Sequence, residues 1–308
     1  MSPTTESLNE RVAHGSLEIG SPSKLRVSFE FFPPKTEKME TALWQTVKRL
    51  EPLDPTFVSV TYGAGGTTRE RTHDAVSRIR QETSLEPAAH LTCVGASVAE
   101  IEEIANSYWV SGVKHIVALR GDPPDGESAF TPRADGFAGS VELIEHLKKM
   151  HDFEISVGCY PEIHPEAASS LADLDYLKRK VDAGATRALT QFFFDPETYL
   201  RFLERARAHG IDIPIIPGIL PVTSYSNIKK FSAQCGMQVP AWLTHLFEGL
   251  EDDAPTRKLV ASMVASEQCR ILQRAGVTDF HFYTLNRADL VYAVCHSMGV
   301  RPKLGNGQ

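Results

Sequence analysis

The chain has no long apolar run and few cysteines, and both absences narrow its class. No stretch approaches the roughly 18 uninterrupted apolar residues that a membrane helix needs, and the N-terminus has no apolar core of a secretion signal. The five cysteines are odd in number and scattered without CxxC pairing, which argues against a disulfide framework or a zinc site. The sequence therefore predicts a cytoplasmic protein with reduced thiols.

Positive charge is not in excess either. Lys and Arg total 32 against 39 Asp and Glu, which gives a net charge of -7. Such a balance argues against a broad nucleic-acid surface, although not against a local basic pocket, so nucleic acid is not expected as a partner. The lack of a long apolar run likewise argues against a membrane. The 308 residues, 42% of them hydrophobic, are enough to bury a large core.

The sequence also lacks an internal repeat and a linker rich in Pro, Gly or Ser. Residues 1–23 are polar without sustained periodicity and are expected to form a flexible tail. Residues 24–303 are predicted to be a single catalytic domain, followed by a short polar tail at 304–308.

Short apolar runs alternate with amphipathic helical stretches throughout the domain. This rhythm predicts a parallel sheet in an α/β fold, and about eight units fit a (β/α)8 TIM barrel, with extra helices in the last crossover. The predicted strands are 25–32, 56–62, 88–93, 114–119, 154–160, 187–194, 212–218 and 279–284.

An open doubly wound sheet is the rival fold, and its usual dinucleotide signature is missing. That signature is G-x-G-x-x-G after the first strand. The nearest match, residues 63–68 (GAGGTT), follows the second strand and lacks the last glycine. A Rossmann site is therefore not expected.

Polar residues fall at nearly every predicted strand end. In a parallel barrel these ends converge on one mouth, where active sites are built. The candidates at this mouth are Glu30, Thr61, Tyr62, His90, Arg120, Gly121, Asp122, Tyr160, His164, Gln191, Tyr283 and Arg287.

Two of these candidates are carboxylates, Glu30 and Asp122, and each has two interpretations. Glu30 stands among aromatic residues, where desolvation disfavours the charged form and would make it a proton donor. It is equally explained as a carboxylate that pairs with Lys or Arg. Asp122 is either a turn former before proline or a second, charged carboxylate of the site.

Other polar residues also leave alternatives open. His90 and His164 are core or loop histidines, ligands to a cofactor, or metal ligands with Asp122; because no close ligand spacing marks a metal set, no metal is expected. The helical charges of Asp173, Arg179 and Lys180, near Tyr176, form a solvated face or meet a pyrophosphate.

Gln191 and Phe231 complete the candidates. Gln191 opens the run 191–195 (QFFFD), where its amide suits a heteroaromatic ring. Phe231, taken alone, is expected in the core.

Nine segments, in this order, resemble the bacterial-type methylenetetrahydrofolate reductases, and the resemblance covers about residues 25–302. They are SFEFFPP at 28–34, VSVTYGA at 58–64, HLTC at 90–93, ALRGD at 118–122, YPEIHP at 160–165, KRKVDAGA at 178–185, QFFFD at 191–195, PGILP at 217–221 and FHFYTLNR at 280–287.

The resemblance implies a barrel that holds FAD noncovalently at its C-terminal mouth. Reduced nicotinamide and 5,10-methylenetetrahydrofolate would take turns there in a ping-pong cycle that yields 5-methyltetrahydrofolate, the methyl source for methionine. NADH is favoured over NADPH because the chain is short and lacks the regulatory domain of eukaryotic relatives. A homo-oligomer, a dimer or tetramer, is also implied.

Roles follow from matching positions. Glu30 is similar to the general acid, and Asp122 to the carboxylate that binds the pterin and steadies a cationic intermediate. The substrate positions are Gln191, Asn227, Phe231, Tyr283 and Arg287. The cofactor positions are Thr61, near the nicotinamide, and, for FAD, Tyr62, Ala64, His90, Arg120, Gly121, Asp122, Ala138, Tyr160, His164, Ala167, Asp173, Tyr176, Arg179 and Lys180.

Two other functions compete with the reductase. One is a metal-dependent TIM-barrel lyase or hydrolase that would use His90, His164 and Asp122. The other is a folate-binding or flavin-binding protein without catalysis.

Overall fold

The computed structural model describes residues 25–62, 69–122, 130–222 and 224–303. Both predicted tails lie outside these ranges.

Nine parallel strands lie within the described ranges, in the order β7-β6-β5-β4-β3-β2-β1-β9-β8. The two end strands, β7 and β8, are separated by Pro217 alone, so they are two halves of one chain segment. The first half pairs with β6 and the second with β9, which closes the sheet. The predicted (β/α)8 barrel is confirmed. The strands are β1 Arg26–Phe31, β2 Val58–Val60, β3 Pro87–Thr92, β4 His115–Leu119, β5 Glu154–Cys159, β6 Arg187–Thr190, β7 Ile215–Ile216, β8 Gly218–Ile219 and β9 Asp279–Tyr283.

The split between β7 and β8 has a covalent cause. Pro217 has no N–H to donate to a ladder, although its carbonyl accepts a hydrogen bond from the backbone N–H of His281 at 3.0 Å. The next N–H, that of Gly218, donates to Oγ1 of Thr190 at 2.8 Å instead of to a backbone carbonyl. A side chain at 218 would lie only 2.3 Å from the carbonyl oxygen of Thr190, so glycine is needed there.

Ten α-helices lie in the described ranges and connect the strands. Polar caps fix several of their starts; for example, Ser97 and Glu100 form a capping box. The helices are α1 Glu37–Leu50, α2 Arg69–Glu82, α3 Val98–Val110, α4 Ser140–Met150, α5 Ser170–Asp182, α6 Pro196–Ala208, α7 Tyr225–Cys235, α8 Ala241–Phe247, α9 Ala254–Arg274 and α10 Ala288–Ser297. The extra helices predicted in the last crossover are α8 and α9. None of the described helices has both the length and the apolarity to cross a membrane.

Three strand predictions differ from the structure by at least two residues at an end. The strand predicted at 56–62 is only Val58–Val60. The run predicted at 187–194 leaves the sheet after Thr190, because the following three phenylalanines are buried in the β6–α6 connection instead. The strand predicted at 212–218 begins later, at Ile215, and extends to Ile219 across the proline.

The barrel interior is filled below its mouth by a small apolar cluster. Phe57, Ala88, Val117, Leu189 and Ile216 form this cluster, which we call the barrel floor. Val117 and Leu189 also line the cavity above it. The floor therefore closes the cavity from below and supports the groups that project into it.

Candidate active site

A cavity of about 510 Å³ lies at the carboxyl ends of the strands. Fifteen of the predicted site residues line it, and they come from most of the strand ends around the barrel. They are Glu30, Thr61, His90, Arg120, Gly121, Asp122, Tyr160, His164, Ala167, Asp173, Tyr176, Lys180, Gln191, Phe231 and Tyr283.

Five described candidates do not line this cavity: Tyr62, Ala138, Arg179, Asn227 and Arg287. Consecutive helical residues project about 100° apart, so α5 cannot point both of its neighbouring cations inward. Its Lys180 faces the cavity, whereas Arg179 lies 3.9 Å from Glu142 with 60% of its side chain exposed. Another candidate, Ala64, lies outside the described residues.

Glu30 lies between two buried histidines. Its Oε2 is 3.4 Å from Nε2 of His90 and 3.7 Å from Nε2 of His281, and only 16% of its side chain is exposed. The partners are thus imidazoles rather than the Lys or Arg of the alternative interpretation. His281 is held in place through Nδ1, which lies 2.8 Å from Oγ of Ser28.

The imidazole of His90 is held neutral. Burial lowers its pKa below the usual 6.5; the carboxylate of Glu30 acts in the opposite direction, and the neighbouring His281 adds a smaller lowering effect. A neutral partner does not form a permanent ion pair with a carboxylate. Glu30 therefore sits where a proton can be exchanged with a ligand above it.

Asp122 reaches the rim of the cavity through an unusual backbone turn. The preceding Gly121 has φ +88°, and a Cβ there would lie 2.5 Å from Cγ1 of Val94 and 2.9 Å from Cβ of Thr92. Only glycine fits both the space and the dihedral. This turn brings an exposed carboxylate to the cavity rim.

Two cations lie along the wall near α5. Arg120 forms a bidentate ion pair with Glu166, with Nη2 to Oε1 at 2.9 Å. The half-buried Lys180 donates from Nζ to the carbonyl of Gly158 at 2.9 Å, and its pKa is lowered because desolvation penalises the ammonium. Nearby, the backbone N–H of His164 donates to Oδ2 of Asp173 at 2.9 Å, which fixes the loop.

The opposite wall is aromatic. Phe231 is 44% exposed and stacks on Phe192, with ring centroids 5.4 Å apart and an interplanar angle of 11°. Its expected place in the core is therefore wrong, because Ile228 and Ser232 take the inward positions of α7. Tyr283 donates its hydroxyl hydrogen to the carbonyl of Thr190 at 2.7 Å.

Gln191 lies at the edge of this wall. Its Oε1 accepts a hydrogen bond from the backbone N–H of Phe192 at 3.0 Å. The adjacent Tyr160 has its pKa raised to about 12 because burial penalises the phenolate, although a hydrogen bond from Gln191 opposes the rise. The phenol of Tyr160 therefore remains a hydrogen-bond donor throughout the neutral range.

Two residues of the site escaped the sequence analysis, Glu166 and His281. Glu166 stands two positions after His164, in the loop between β5 and α5. His281 stands two residues before Tyr283 on β9, so the alternation of side chains along a strand could have placed His281 on the same face as Tyr283. Within the described ranges, no group of three or more His, Cys, Asp or Glu residues is arranged to hold a metal ion.

The fold and the cavity together define a class: a (β/α)8-barrel enzyme whose cavity combines a carboxylate between two histidines, an aromatic wall and cations suited to an anionic ligand. Residues 18–299 match the family model described as methylenetetrahydrofolate reductase. The chain belongs to the methylenetetrahydrofolate reductase family.

Curated relatives agree with this assignment. The chain is 54% identical over 281 residues to 5,10-methylenetetrahydrofolate reductase of Escherichia coli (strain K12), covering 91% of this chain and 93% of the relative. It is 52% identical over 299 residues to the Salmonella typhimurium enzyme of the same name, with 97% of each chain covered. An Arabidopsis thaliana protein, methylenetetrahydrofolate reductase (NADH) 1, is 36% identical over 284 residues, which are 89% of this chain and 48% of that protein.

A solved structure shares the fold at low identity. It is an uncharacterized protein from Clostridium thermocellum, whose description states that it binds two copies of 5-methyl-5,6,7,8-tetrahydrofolic acid. The TM-score is 0.59 at 14% identity, with 88% of this chain and 93% of that chain covered. At this identity the similarity supports the barrel fold alone.

Proposed function

We propose that this chain reduces 5,10-methylenetetrahydrofolate to 5-methyltetrahydrofolate with reduced nicotinamide, using noncovalently bound FAD. The observation that carries the proposal is the position of Glu30: a partly exposed carboxylate at the bottom of a cavity, facing two histidines, in a chain of this family. A folate whose five-membered ring must open needs a proton donor placed in this way.

The residues of the cavity fit a flavin dinucleotide. Arg120 and Lys180 supply cations for a pyrophosphate, and Tyr160 and Tyr176 supply aromatic and hydroxyl groups. His90 lines the cavity, and its buried Nε2, beside the carboxylate of Glu30, makes no well-formed hydrogen bond within the described residues, so this imidazole is available to a ligand. FAD bound here would accept a hydride from the nicotinamide and pass it to the folate.

The chain's own residues would act on the folate. Glu30 would donate a proton to the ring nitrogen that leaves, which opens the five-membered ring to a cationic iminium. Asp122, at the rim, would stabilise that positive charge electrostatically. Phe231 offers an exposed ring face for stacking, and the amide of Gln191 offers a donor and an acceptor to a pterin.

For the reductant we propose NADH over NADPH. The support is the name of the Arabidopsis relative, which specifies NADH, together with the sequence-based expectation. We also propose a homo-oligomer, for which family membership is the only support; light scattering on the purified chain would determine its state.

An anaerobic two-step assay tests the proposed function. The purified chain is incubated with FAD, desalted, and mixed first with NADH or NADPH and then with 5,10-methylenetetrahydrofolate. We expect a yellow protein whose visible flavin absorbance bleaches with the nicotinamide and returns with the folate. A protein that retains no flavin, or whose absorbance does not return with the folate, would refute the proposal.

A further inference from the structure

The ion pair between Arg120 and Glu166 joins two βα loops across the edge of the cavity. Arg120 follows β4 and Glu166 lies between β5 and α5, and both line the cavity. Nη1 of the guanidinium donates to Oε2 of Glu166, and Nη2 donates to Oε1. This two-pronged arrangement is the one by which arginine also binds phosphate.

The pair differs from an ordinary surface ion pair in its burial. Only 24% of the Arg120 side chain is exposed, against 51% for Glu166. Hydrogen bonding between them raises the pKa of Arg120 and lowers the pKa of Glu166, so both stay charged at neutral pH. The charge of the less mobile partner, Arg120, is thus already neutralised before any ligand arrives.

The carboxylate of Glu166 is free to leave without disturbing its loop. Its backbone N–H donates to Nδ1 of His164 at 3.1 Å, and the N–H of Ala167 donates to the carbonyl of His164 at 2.9 Å. These bonds hold the main chain, whereas the half-exposed side chain needs only a rotamer change. The carboxylate of Asp173, by contrast, is tied to the loop backbone itself.

We propose that Glu166 is an internal competitor for the dinucleotide pyrophosphate: it fills the guanidinium fork of Arg120 in the free chain and must be displaced when phosphate oxygens bind. The inference rests on the proposed function, since it assumes FAD as the ligand. It assigns to Glu166 a role opposite to that of a cofactor contact. The residue lowers the affinity for FAD and keeps the cation covered while the cavity is open.

Isosteric removal of the competing charge tests this role. FAD binding to apoprotein, followed by flavin fluorescence, should be about fivefold tighter in Glu166→Gln, the factor that an ion pair worth about 1 kcal/mol represents. Glu162→Gln is the matched control: it removes the same charge from the same loop, but its carboxylate accepts from the backbone N–H of Gln238 and does not line the cavity. The Glu162→Gln variant should bind FAD with the same affinity as the unmodified chain.

A double-mutant cycle with Arg120→Gln locates the effect. In the Arg120→Gln background, Glu166→Gln should no longer tighten FAD binding, because no guanidinium remains for Glu166 to occupy. Unchanged or weaker binding in Glu166→Gln alone, equal tightening in Glu162→Gln, or full tightening without Arg120 would each overturn the inference. Absence of FAD binding by the unmodified chain would instead refute the proposed function.

Discussion

Oε2 of Glu30 lies 3.4 Å from Nε2 of His90, inside the barrel, and burial keeps that imidazole neutral. Because a second buried histidine, His281, lies 3.7 Å from the same oxygen, the carboxylate has ring nitrogens on two sides and the cavity on another. An isosteric amide at position 30 would keep these contacts and lose the transferable proton.

Glu30→Gln should therefore separate the two half-reactions. Reduction of bound flavin by NADH should stay within about twofold of normal, whereas oxidation by the folate should fall about 10²–10⁴-fold, the usual contribution of a general acid. Stopped-flow absorbance measures both rates. Glu103→Gln, on the exposed face of α3, is the control and should change neither. Equal losses in both half-reactions would contradict the assignment of Glu30 as the folate's proton donor.

Two lysines of α5 provide a matched test of the anion site. Lys180 is half-buried and lines the cavity, whereas Lys178 is paired with Asp182 on the outside. Lys180→Met should weaken FAD binding about tenfold or more, because a charge-assisted hydrogen bond to a phosphate is worth about 1.5–3 kcal/mol. Lys178→Met should bind FAD normally. Equal affinities in the two variants, measured by fluorescence titration of folded protein, would remove Lys180 from the site.

Two glycines with similar backbone conformations separate steric clash from dihedral strain. Gly121 has φ +88° and no room for a Cβ, whereas Gly249 has φ +77° and no atom within 4 Å of that position. Gly249→Ala should cost about 1 kcal/mol from the dihedral alone. Gly121→Ala should cost about 1–3 kcal/mol more, because Val94 and Thr92 must move. Urea unfolding measures both, and equal costs would show that the space beside Gly121 adapts freely.

Because two histidines are buried, we expect the folded protein to lose stability in mild acid. The pKa of His115 lies well below the usual 6.5 because of burial and the adjacent Arg187, and the pKa of His90 is also lowered. The unfolded chain takes up these protons at about pH 6.5 and the folded chain does not, so unfolding binds protons. The stability that these neutral histidines contribute is therefore complete above about pH 6.5. As the pH drops below about 6.5, the free energy of unfolding should decrease by about 1.4 kcal/mol per pH unit for each such histidine.

His115→Gln tests the origin of that slope. His115 lies 2.7 Å from Oγ of Ser156 through Nε2 and 3.5 Å from Nη1 of Arg187, and glutamine can still bond to the hydroxyl without titrating. Urea unfolding at pH 7.5, 6.5 and 5.5 should show a shallower pH dependence in this variant. His296→Gln, on the exposed face of α10, should retain the full slope. An unchanged slope in His115→Gln would place the proton uptake elsewhere.

The sequence predicted the barrel because strand and helix periodicities are local properties. It also placed Glu30 and Gln191 at strand ends, since parallel strands bring their carboxyl ends to one mouth. The split of the seventh strand was not predicted. Pro217 is a local signal for it, but the hydrogen bond from the N–H of Gly218 to Oγ1 of Thr190, which is remote in sequence, is not.

Side-chain pairings between loops were harder still to predict. Arg120 and Glu166 are 46 residues apart, and no periodicity links them. The exposure of Phe231 likewise depends on which face of α7 packs inward, and an aromatic residue on a short amphipathic helix is ordinarily expected in the core. Such features require the packing of several elements at once, which local patterns do not encode.

The barrel floor has a practical consequence. The ring of Phe57 lies 4.7 Å from the ring of His115 and 5.7 Å from that of His281, measured between centroids. The guanidinium of Arg187, which pairs with Glu154, lies over the ring of Phe57. These packed side chains thus separate the amino-terminal end of the barrel from the cavity. The protein could therefore be attached to a surface or fused to a partner at that end, for example through the exposed Asp152. Such an attachment should not obstruct the entry or release of ligands at the mouth.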